Sequence, residues 1–375
     1  MSDAAPWSGA ERPDLEPVDL ATLEERAAGR LDQLAFDYIA GGVGDEVTLA
    51  ANVAAWTRLK IRPHVLRDMS TVDTTTTVLG RPVSTPVVVA PTAMHRFACE
   101  EGEPATARAA ASVGTLMVVS MASNTALEDI ARAAPGAPRW QQMYMLRDRG
   151  RTKALCERAR DAGYDAVVAS VDGAAVTQRR RLPGGGLTPP AFFRFPNLAP
   201  PGAPDDADLM GMVSDFDPSV TFDDLARFGE WSGLPVVVKA VLRGDDAVAC
   251  VGAGAAGIAV SNHGGRILDG CIATADALPE VVDAVDGRAE VYVDGGIRNG
   301  VDVVKALALG ARAVMVGRPV VWGLALGGEA GAAAVLNQLT AELQRAMALC
   351  GAATVGALSR DLVWRDASRG VDGVA

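Results

Sequence analysis

Short apolar runs alternate with Ala-rich helical segments from residue 86 onward. Eight runs have the length and the β-branched character of buried strands: 87–90, 116–120, 140–145, 166–171, 236–241, 258–261, 291–294 and 314–317. Helical segments lie between most of them, at 104–112, 152–162, 245–251 and 301–309. Eight consecutive βα units predict a TIM (β/α)8 barrel. A doubly wound sheet is the main alternative, but the first strand lacks the Gly-x-Gly-x-x-Gly fingerprint that typically follows it there.

The segments outside this alternation are predicted to serve the barrel. Residues 1–17 are polar and contain prolines, so we predict that they are disordered. Residues 20–40 and 45–56 have helical periodicity and are predicted to cap the barrel, within a single domain over residues 18–375. About 70 residues separate the starts of the fourth and fifth strands. The Pro/Gly-rich part of this interval, about 180–220, is predicted to form a long lid loop, with a surface loop of no function as the alternative.

Composition narrows the class of protein. A net charge of −11 argues against general binding to nucleic acids and to anionic membranes. The five cysteines are scattered without metal-ligand spacing, which indicates free thiols and no metal site. The N-terminal residues contain no apolar signal core, and no apolar run reaches transmembrane length. We therefore expect a cytoplasmic protein with no membrane contact.

Polar and glycine residues follow the predicted strands, at the carboxyl ends that meet at one mouth of a barrel. In chain order these are Pro91, Thr92, Ala93, Met94, Ser120, Gln142, Tyr144, Ser170, Asp172, Lys239, His263, Arg266, Asp294, Gly295, Gly296, Arg298, Gly317 and Arg318. The residues after the seventh and eighth strands occupy the place where barrels commonly bind phosphate. Glycines expose backbone N–H groups to an anion, and arginines donate to its oxygens. The sequence therefore predicts a site for an anionic ligand at this mouth.

Five motifs together resemble one family over nearly the whole chain, from about residue 20. They are Pro91-Thr-Ala-Met94, Gln142-Met-Tyr144, Ser261-Asn-His-Gly-Gly-Arg266, Asp294-Gly-Gly-Ile-Arg298 and Lys305-Ala-Leu-Ala-Leu-Gly310. The chain resembles the FMN-dependent α-hydroxy acid oxidases and dehydrogenases, which include glycolate oxidase, lactate oxidase, mandelate dehydrogenase and hydroxymandelate oxidase. The resemblance implies an FMN across the barrel mouth, with its phosphate at Arg298, Gly317 and Arg318. The other implied cofactor-binding residues are Pro91, Thr92, Ala93, Ser120, Gln142, Ser170, Lys239, Asp294, Gly295 and Gly296.

The same resemblance implies an (S)-2-hydroxy acid as the substrate. Arg266 and Arg179 would bind its carboxylate, with Arg180 as the alternative to Arg179, and Tyr38 would add a hydrogen bond. Tyr144 would lie by the 2-hydroxyl group, and Met94 and Ala122 would complete the pocket. His263 would be the base and Asp172 would stabilise its imidazolium, whether the step is a hydride transfer or passes through a carbanion.

The histidine count agrees with this assignment of the base. The chain has three histidines, His64, His95 and His263. His64 is expected in a loop or at the surface. His95 is expected near the mouth, but the sequence offers no carboxylate to pair with it. Elimination and the motif therefore both favour His263.

Several positions differ from the family pattern. Thr177-Gln-Arg-Arg-Arg181 stands where Gly-Arg-Arg-Glu is usual, Gly173 follows Asp172 where Thr or Val is common, and Ala240 replaces a frequent Gly. Ala122 replaces the bulky Trp of glycolate oxidase-like members, so a mandelate-sized side chain is expected to fit. Ala93 favours an oxidase that uses O2 and forms H2O2.

Three alternatives to this oxidase remain open. They are a dehydrogenase with a quinone or protein acceptor, a family member that acts on a carrier- or peptide-linked substrate, and a flavin-binding barrel without catalysis. The resemblance also suggests a homotetramer or octamer.

Overall fold

The computed structural model describes residues 18–175, 177–199 and 214–365. Its centre is a closed barrel of parallel strands that follow one another in chain order. The strands are Val87–Val89, Met117–Val119, Arg139–Met143, Ala166–Ser170, Val236–Val241, Gly257–Val260, Glu290–Val293 and Ala313–Val316. The eighth strand closes on the first, with Val314 opposite Val87. All eight predicted strands are confirmed, so the TIM barrel is correct and the doubly wound sheet is wrong.

Helices surround the barrel and bury its outer surface. They are Glu103–Val113, Leu127–Ala133, Arg149–Asp161, Leu225–Ser232, Gly244–Gly252, Thr274–Val285, Gly300–Ala308 and Arg318–Cys350. Successive strand residues alternate between two cores, because side chains of a strand point to opposite faces. In the first strand Val88 packs in the lumen, whereas Val87 and Val89 pack against the helices.

The last helix, Arg318–Cys350, is 33 residues long. By length and composition it could cross a membrane, contrary to our expectation that no run reaches this length, but 78% of its most apolar window is buried in the fold. It packs against Glu103–Val113 and Gly300–Ala308, and Gly328 interrupts it with non-helical backbone. It is therefore the core helix of this barrel.

The N-terminal helices lie across the barrel mouth. The predicted helix at 20–40 is two helices, Leu23–Ala28 and Gln33–Ala40, because Asp32 caps a new N-terminus by accepting a hydrogen bond from the backbone of Ala35. The third helix is Val47–Arg58.

The loop after the sixth strand holds the start of this third helix. The Asp269 carboxylate accepts hydrogen bonds from the backbone N–H groups of Asp45 (2.9 Å) and Thr48 (2.8 Å). The N-terminal region therefore contributes directly to the mouth.

Two short ribbons complete the fold. Thr76–Val78 and Arg81–Val83 form a hairpin whose valines pack with the lumen residues. Leu59–Ile61 pairs with Val363–Arg365, which joins the N-terminal region to the last described strand. Single turns of 3-10 helix occur at His95–Phe97, Pro183–Gly185, Phe222–Asp224, Val355–Ala357 and Arg360–Leu362.

The insertion after the fourth strand packs on the barrel at both of its described ends. Phe193, Phe195 and Leu198 are buried, and the Asn197 side chain accepts a hydrogen bond from the backbone of Leu127 (3.0 Å). The predicted disorder of residues 1–17 and part of the predicted lid, residues 200–213, lie outside the described residues. The lid stays a prediction.

All five cysteines are free, as predicted, and only Cys271 is partly exposed.

Candidate active site

A cavity lies at the carboxyl ends of the barrel strands. Its volume is about 280 Å³, and Tyr38 from the N-terminal helices forms part of its wall. Every residue predicted to bind cofactor or substrate lies on this wall, and the predicted catalytic Asp172 lies behind His263. The insertion adds Leu182 and Phe216. The structure therefore brings the predicted strand-end residues together in one site.

His263 and Asp172 form a hydrogen-bonded couple at the centre of the site. The Nδ1 atom of His263 lies 2.9 Å from Oδ2 of Asp172. An ionised carboxylate only accepts hydrogen bonds, so Nδ1 carries the proton of the neutral ring and Nε2 can accept one. Burial alone would raise the pKa of Asp172, but the charge and hydrogen bond of His263 lower it, and the net pKa is below its usual value. The carboxylate is therefore ionised beside the base.

A turn with unusual backbone holds the His263 ring in place. His263 has φ +56°, a left-handed conformation that is uncommon for residues other than glycine. Its backbone N–H donates to Oγ of Ser261 at 3.0 Å. Ser261 was in a motif, but its hydroxyl was not among the predicted site residues.

Tyr144 is the second group on Asp172. Its hydroxyl donates to Oδ1 of Asp172 at a distance of 3.5 Å. Burial, followed by the charge of Asp172, raises the pKa of Tyr144 well above its usual value. Tyr144 is therefore a permanent hydrogen-bond donor at neutral pH.

Lys239 is a buried cation with fixed partners. Its Nζ atom lies 3.1 Å from a carboxylate oxygen of Asp294 and donates to Oγ of Ser261 at 2.8 Å. The other oxygen of Asp294, Oδ1, is buried without a hydrogen-bond partner. The strand bulges directly after Lys239, where Ala240 has φ +85°. This explains why the family often has glycine at that position, because glycine adopts such backbone without a steric penalty.

A chain of amide and hydroxyl groups lines the wall between the second and fourth strands. Gln142 donates from Nε2 to Oγ of Ser170 at 3.0 Å and accepts at Oε1 from the backbone of Met121 at 3.3 Å. Oγ of Ser120 accepts from the backbone of Ala122 at 3.2 Å. These contacts orient polar side chains toward one face of the cavity, as the polar edge of a heteroaromatic ligand requires.

Two arginines lie together at the end of the seventh and eighth strands. Burial, and then repulsion by Arg298, lowers the pKa of Arg318 to about 9, and burial lowers the pKa of Arg298. Within the described part of the chain, Arg318 donates to three backbone carbonyls, those of Ile39 (3.1 Å), Gly41 (3.2 Å) and Gly264 (3.1 Å), and no described carboxylate is bound to either arginine. Two desolvated cations of this kind are the donor set of a phosphate site.

A second arginine pair, Arg266 and Arg179, adjoins the first, since Arg266 donates to the same carbonyls as Arg318, those of Ile39 (3.3 Å) and Gly41 (2.7 Å). Arg266 and Arg179 stand over the ring of Tyr38, at 5.1 and 5.3 Å from its centre. Burial, followed by repulsion from Arg179, lowers the pKa of Arg266 well below its usual value. The Nη1 atom of Arg179 is buried without a hydrogen-bond partner. This pair also requires an anion.

Arg180 is placed elsewhere. It forms an ion pair with Asp45, and its side chain is 71% exposed. Of the two alternatives for the second carboxylate-binding arginine, only Arg179 reaches the cavity.

The glycines after the seventh strand allow the N-terminal helix to approach. A Cβ atom at Gly296, which has φ +82°, would collide with the backbone carbonyl of Asn52, and one at Gly295 would lie 3.3 Å from the Asn52 side chain. Asn52 exchanges hydrogen bonds with Asn262 at 2.8 Å in both directions. These asparagines join the third helix to the strand-end loops, a role that the motif alone did not reveal.

The two other histidines lie outside the reacting centre. His64 is at the surface, 3.0 Å from Asp361. His95 is buried, and its ring bonds to the hydroxyls of Thr92 and Thr106. A carboxylate does lie nearby, since the backbone N–H of His95 donates to Glu103 at 3.1 Å. Among the described residues, however, no carboxylate bonds to the His95 ring.

Comparison with known proteins identifies the family to which this chain is similar. Residues 27–365 match the model of the FMN-dependent dehydrogenase family. The chain is 47% identical over 345 residues to an L-lactate oxidase from Nostoc sp. (strain PCC 7120 / SAG 25.82 / UTEX 2576), covering 89% of this chain and 94% of the relative. It is 43% identical over 349 residues to human 2-hydroxyacid oxidase 1, covering 91% and 94%.

Solved structures give the same result. A mandelate oxidase crystallised with (S)-4-hydroxymandelic acid is 42% identical and superposes with a TM-score of 0.85, covering 92% of this chain and 98% of that one. A putative lactate oxidase from Pediococcus acidilactici is 34% identical, with a TM-score of 0.90 and coverages of 98% and 99%. Because the family model matches most of its length and relatives more than 40% identical cover it almost completely, the chain belongs to the FMN-dependent dehydrogenase family.

Proposed function

We propose that the protein oxidises an (S)-2-hydroxy acid with a side chain larger than that of glycolate, of mandelate size, to the 2-oxo acid. The electrons pass to O2, which gives H2O2. One observation carries the proposal: the cavity that contains His263, with Asp172 behind it, also contains two pairs of part-buried arginines, and no carboxylate of the described residues is bound to either pair. One pair suits the cofactor phosphate and the other suits the substrate carboxylate.

The residues of the cavity fit FMN. Arg298, Arg318 and the backbone of Gly317 would hold its phosphate, and the Gln142–Ser170 network and Lys239 would hold the polar edge of its ring system. When bound, FMN supplies the acceptor for the two electrons of the oxidation.

His263 is the proton acceptor for the substrate. Its Nε2 is the unprotonated nitrogen, because Nδ1 donates to Asp172 at 2.9 Å. Nε2 takes the proton of the 2-hydroxyl group, and the ionised Asp172 stabilises the imidazolium that results. With substrate bound, the Tyr144 hydroxyl turns its single proton from Asp172 to the oxygen that becomes the carbonyl oxygen.

Arg266 and Arg179 bind the substrate carboxylate, and Tyr38 lies between them. The buried and unpartnered Nη1 of Arg179 supports this role. Guanidinium groups bind carboxylates with two parallel hydrogen bonds, which orients the α-carbon as well as neutralising the charge.

The apolar part of the cavity supports a large substrate side chain. Ala122, Leu182, Leu187 and Phe216 line it, and Ala122 leaves space where a larger residue would fill the wall. A relative crystallised with (S)-mandelic acid is named mandelate oxidase. An aromatic 2-hydroxy acid is therefore the substrate class that we propose.

The test is the visible spectrum of the holoenzyme under anaerobic conditions, before and after addition of (S)-mandelate. We expect the flavin absorbance to bleach with (S)-mandelate and to persist with (R)-mandelate. The variant A122W should lose bleaching by (S)-mandelate and keep it with glycolate, because the indole fills the space for the side chain.

Air then distinguishes the acceptors. Rapid return of the absorbance with one H2O2 per substrate supports an oxidase, whereas slow return that a quinone accelerates supports a dehydrogenase. Persistence of the absorbance with every 2-hydroxy acid would falsify the proposed substrate class.

A further inference from the structure

The insertion returns to the barrel through a short antiparallel contact. Phe216 lies opposite Leu146, just beyond the third strand. The backbone N–H of Arg147 donates to the carbonyl of Asp215 at 2.8 Å, and that of Asp217 donates to the carbonyl of Met145 at 2.9 Å. Residues 215–217, which we call the clasp, are therefore fixed to the strand end that carries Tyr144.

Ion pairs on both sides reinforce the clasp. Arg151 pairs with Asp215, and Arg149 pairs with Asp217 at 2.6 Å. Arg149 and Arg151 both lie in the helix that follows the third strand. Backbone and side-chain contacts thus hold the residue between the two aspartates in a defined position.

That residue, Phe216, stacks on the ring of Tyr144. The ring centres are 4.3 Å apart and the planes differ by 18°. Gly173 lies against the same ring, and a Cβ atom there would stand 2.7 Å from two of the Tyr144 ring carbons. The same Cβ would lie 3.3 Å from the Phe216 ring, so Gly173 stands at the edge of the stacked rings, in a space that any side chain at residue 173 would reduce.

We infer that Phe216 is a positioning residue, which holds the Tyr144 ring so that its hydroxyl, bonded to Asp172 in this structure, can donate to the substrate oxygen instead. This inference rests on the proposed function, since it assigns how one group of that site is oriented. It assigns a role to the end of the insertion. It also gives a reason for Gly173, which departs from the family pattern, because a residue without a side chain leaves room for the Tyr144 ring.

A double-mutant cycle between Phe216 and Tyr144 tests the inference. In F216A the rate constant of anaerobic flavin reduction should fall about 10- to 100-fold, because misplacement of a reacting group by an ångström has effects of that size. The variant F216Y keeps a stacked ring and should keep the rate. In the Y144F background, F216A should have little further effect, because the hydroxyl that Phe216 positions is absent.

Two further variants separate positioning from loss of structure. G173A places a methyl group against the edge of the stacked rings, 2.7 Å from Tyr144 ring carbons, and should reproduce the effect of F216A while the ion pairs of the clasp are kept. F222A removes an exposed phenylalanine a few residues later and should leave the rate unchanged. If the fold-losses in the reduction rate constant caused by F216A and Y144F simply multiply in the double variant, the inference is overturned. A G173A rate constant equal to that of the unmodified protein also overturns it.

A measurement that does not depend on turnover distinguishes failure of the proposed function from failure of the positioning inference. The chain has four tyrosines, so 3-fluorotyrosine labelling gives four resonances in the 19F spectrum of the holoenzyme, and Y144F identifies one of them. We expect F216A and G173A to shift that resonance alone. If no 2-hydroxy acid is oxidised but the resonance shifts, the proposed function fails and the contact stands. If oxidation proceeds and the resonance does not move, the positioning inference fails.

Discussion

Two neighbouring arginines of the insertion have very different surroundings. Arg179 lies in the cavity with a buried, unpartnered nitrogen, whereas Arg180 pairs with Asp45 at the surface. A hydrogen bond to a charged group is worth about 1.5–3 kcal/mol. We therefore expect R179M to raise the KM for the 2-hydroxy acid about 10- to 100-fold. R180M is the matched control and should change KM less than about twofold, since exposed ion pairs contribute little. Equal effects of the two variants in steady-state assays contradict the assignment.

At the scale of single residues, the sequence predicted the polar and charged side chains of the site. Each predicted strand-end side chain lies in or directly behind the cavity, because barrel geometry brings strand ends together whatever the loops do. Phe216 was not predicted, because an aromatic residue outside any motif gives no signal of the ring it will contact. The sequence did single out Ala240 as a departure from the family, and its positive φ supplies the physical reason.

At the scale of elements, the contact between the seventh-strand loop and the third helix is unusually close. Gly296 combines φ +82° with a backbone carbonyl of Asn52 where its Cβ would be. We expect G296A to reduce the free energy of unfolding by about 2–5 kcal/mol, the sum of the left-handed backbone and overpacking costs. The bound FMN should also dissociate more readily, because this loop forms part of its site.

Gly136 is the control for this variant. It has φ +72° but nothing within 4 Å of its Cβ position. G136A should therefore show the backbone cost alone, about 1–2 kcal/mol. Urea unfolding of both variants measures the difference, and an equal loss of stability would show that the close approach to Asn52 has no energetic effect.

The elements themselves were largely predictable. Buried parallel strands read as continuous apolar runs, so all eight were found within one or two residues. The break between Leu23–Ala28 and Gln33–Ala40 was missed because the apolar spacing continues across it, and the Asp32 cap that restarts the helix was not considered.

At the scale of the whole molecule, two pairs of desolvated like charges destabilise the protein until anions bind. Anything that binds only the folded state stabilises it by mass action. Inorganic phosphate should therefore raise the Tm of the apoprotein more than chloride does at matched ionic strength, by about 2 °C for each kcal/mol of binding free energy.

Variants locate the phosphate effect. R318M should abolish the difference between phosphate and chloride, because it removes one of the paired guanidinium groups. K60M removes an exposed lysine outside the cavity and should keep the difference. A phosphate effect that survives R318M would assign anion binding to another surface.

The N-terminal helix Gln33–Ala40 accepts hydrogen bonds from residues far along the chain. Arg266 and Arg318 donate to the carbonyl of Ile39 from 227 and 279 residues further on. During synthesis on the ribosome, this segment leaves the exit tunnel long before either arginine has been translated. The nascent chain must therefore carry its first helices without their partners until most of the barrel has emerged, so the mouth is assembled last. FMN therefore finds a complete site only at the end of synthesis, and the helices that are made before the barrel are the ones that complete its mouth.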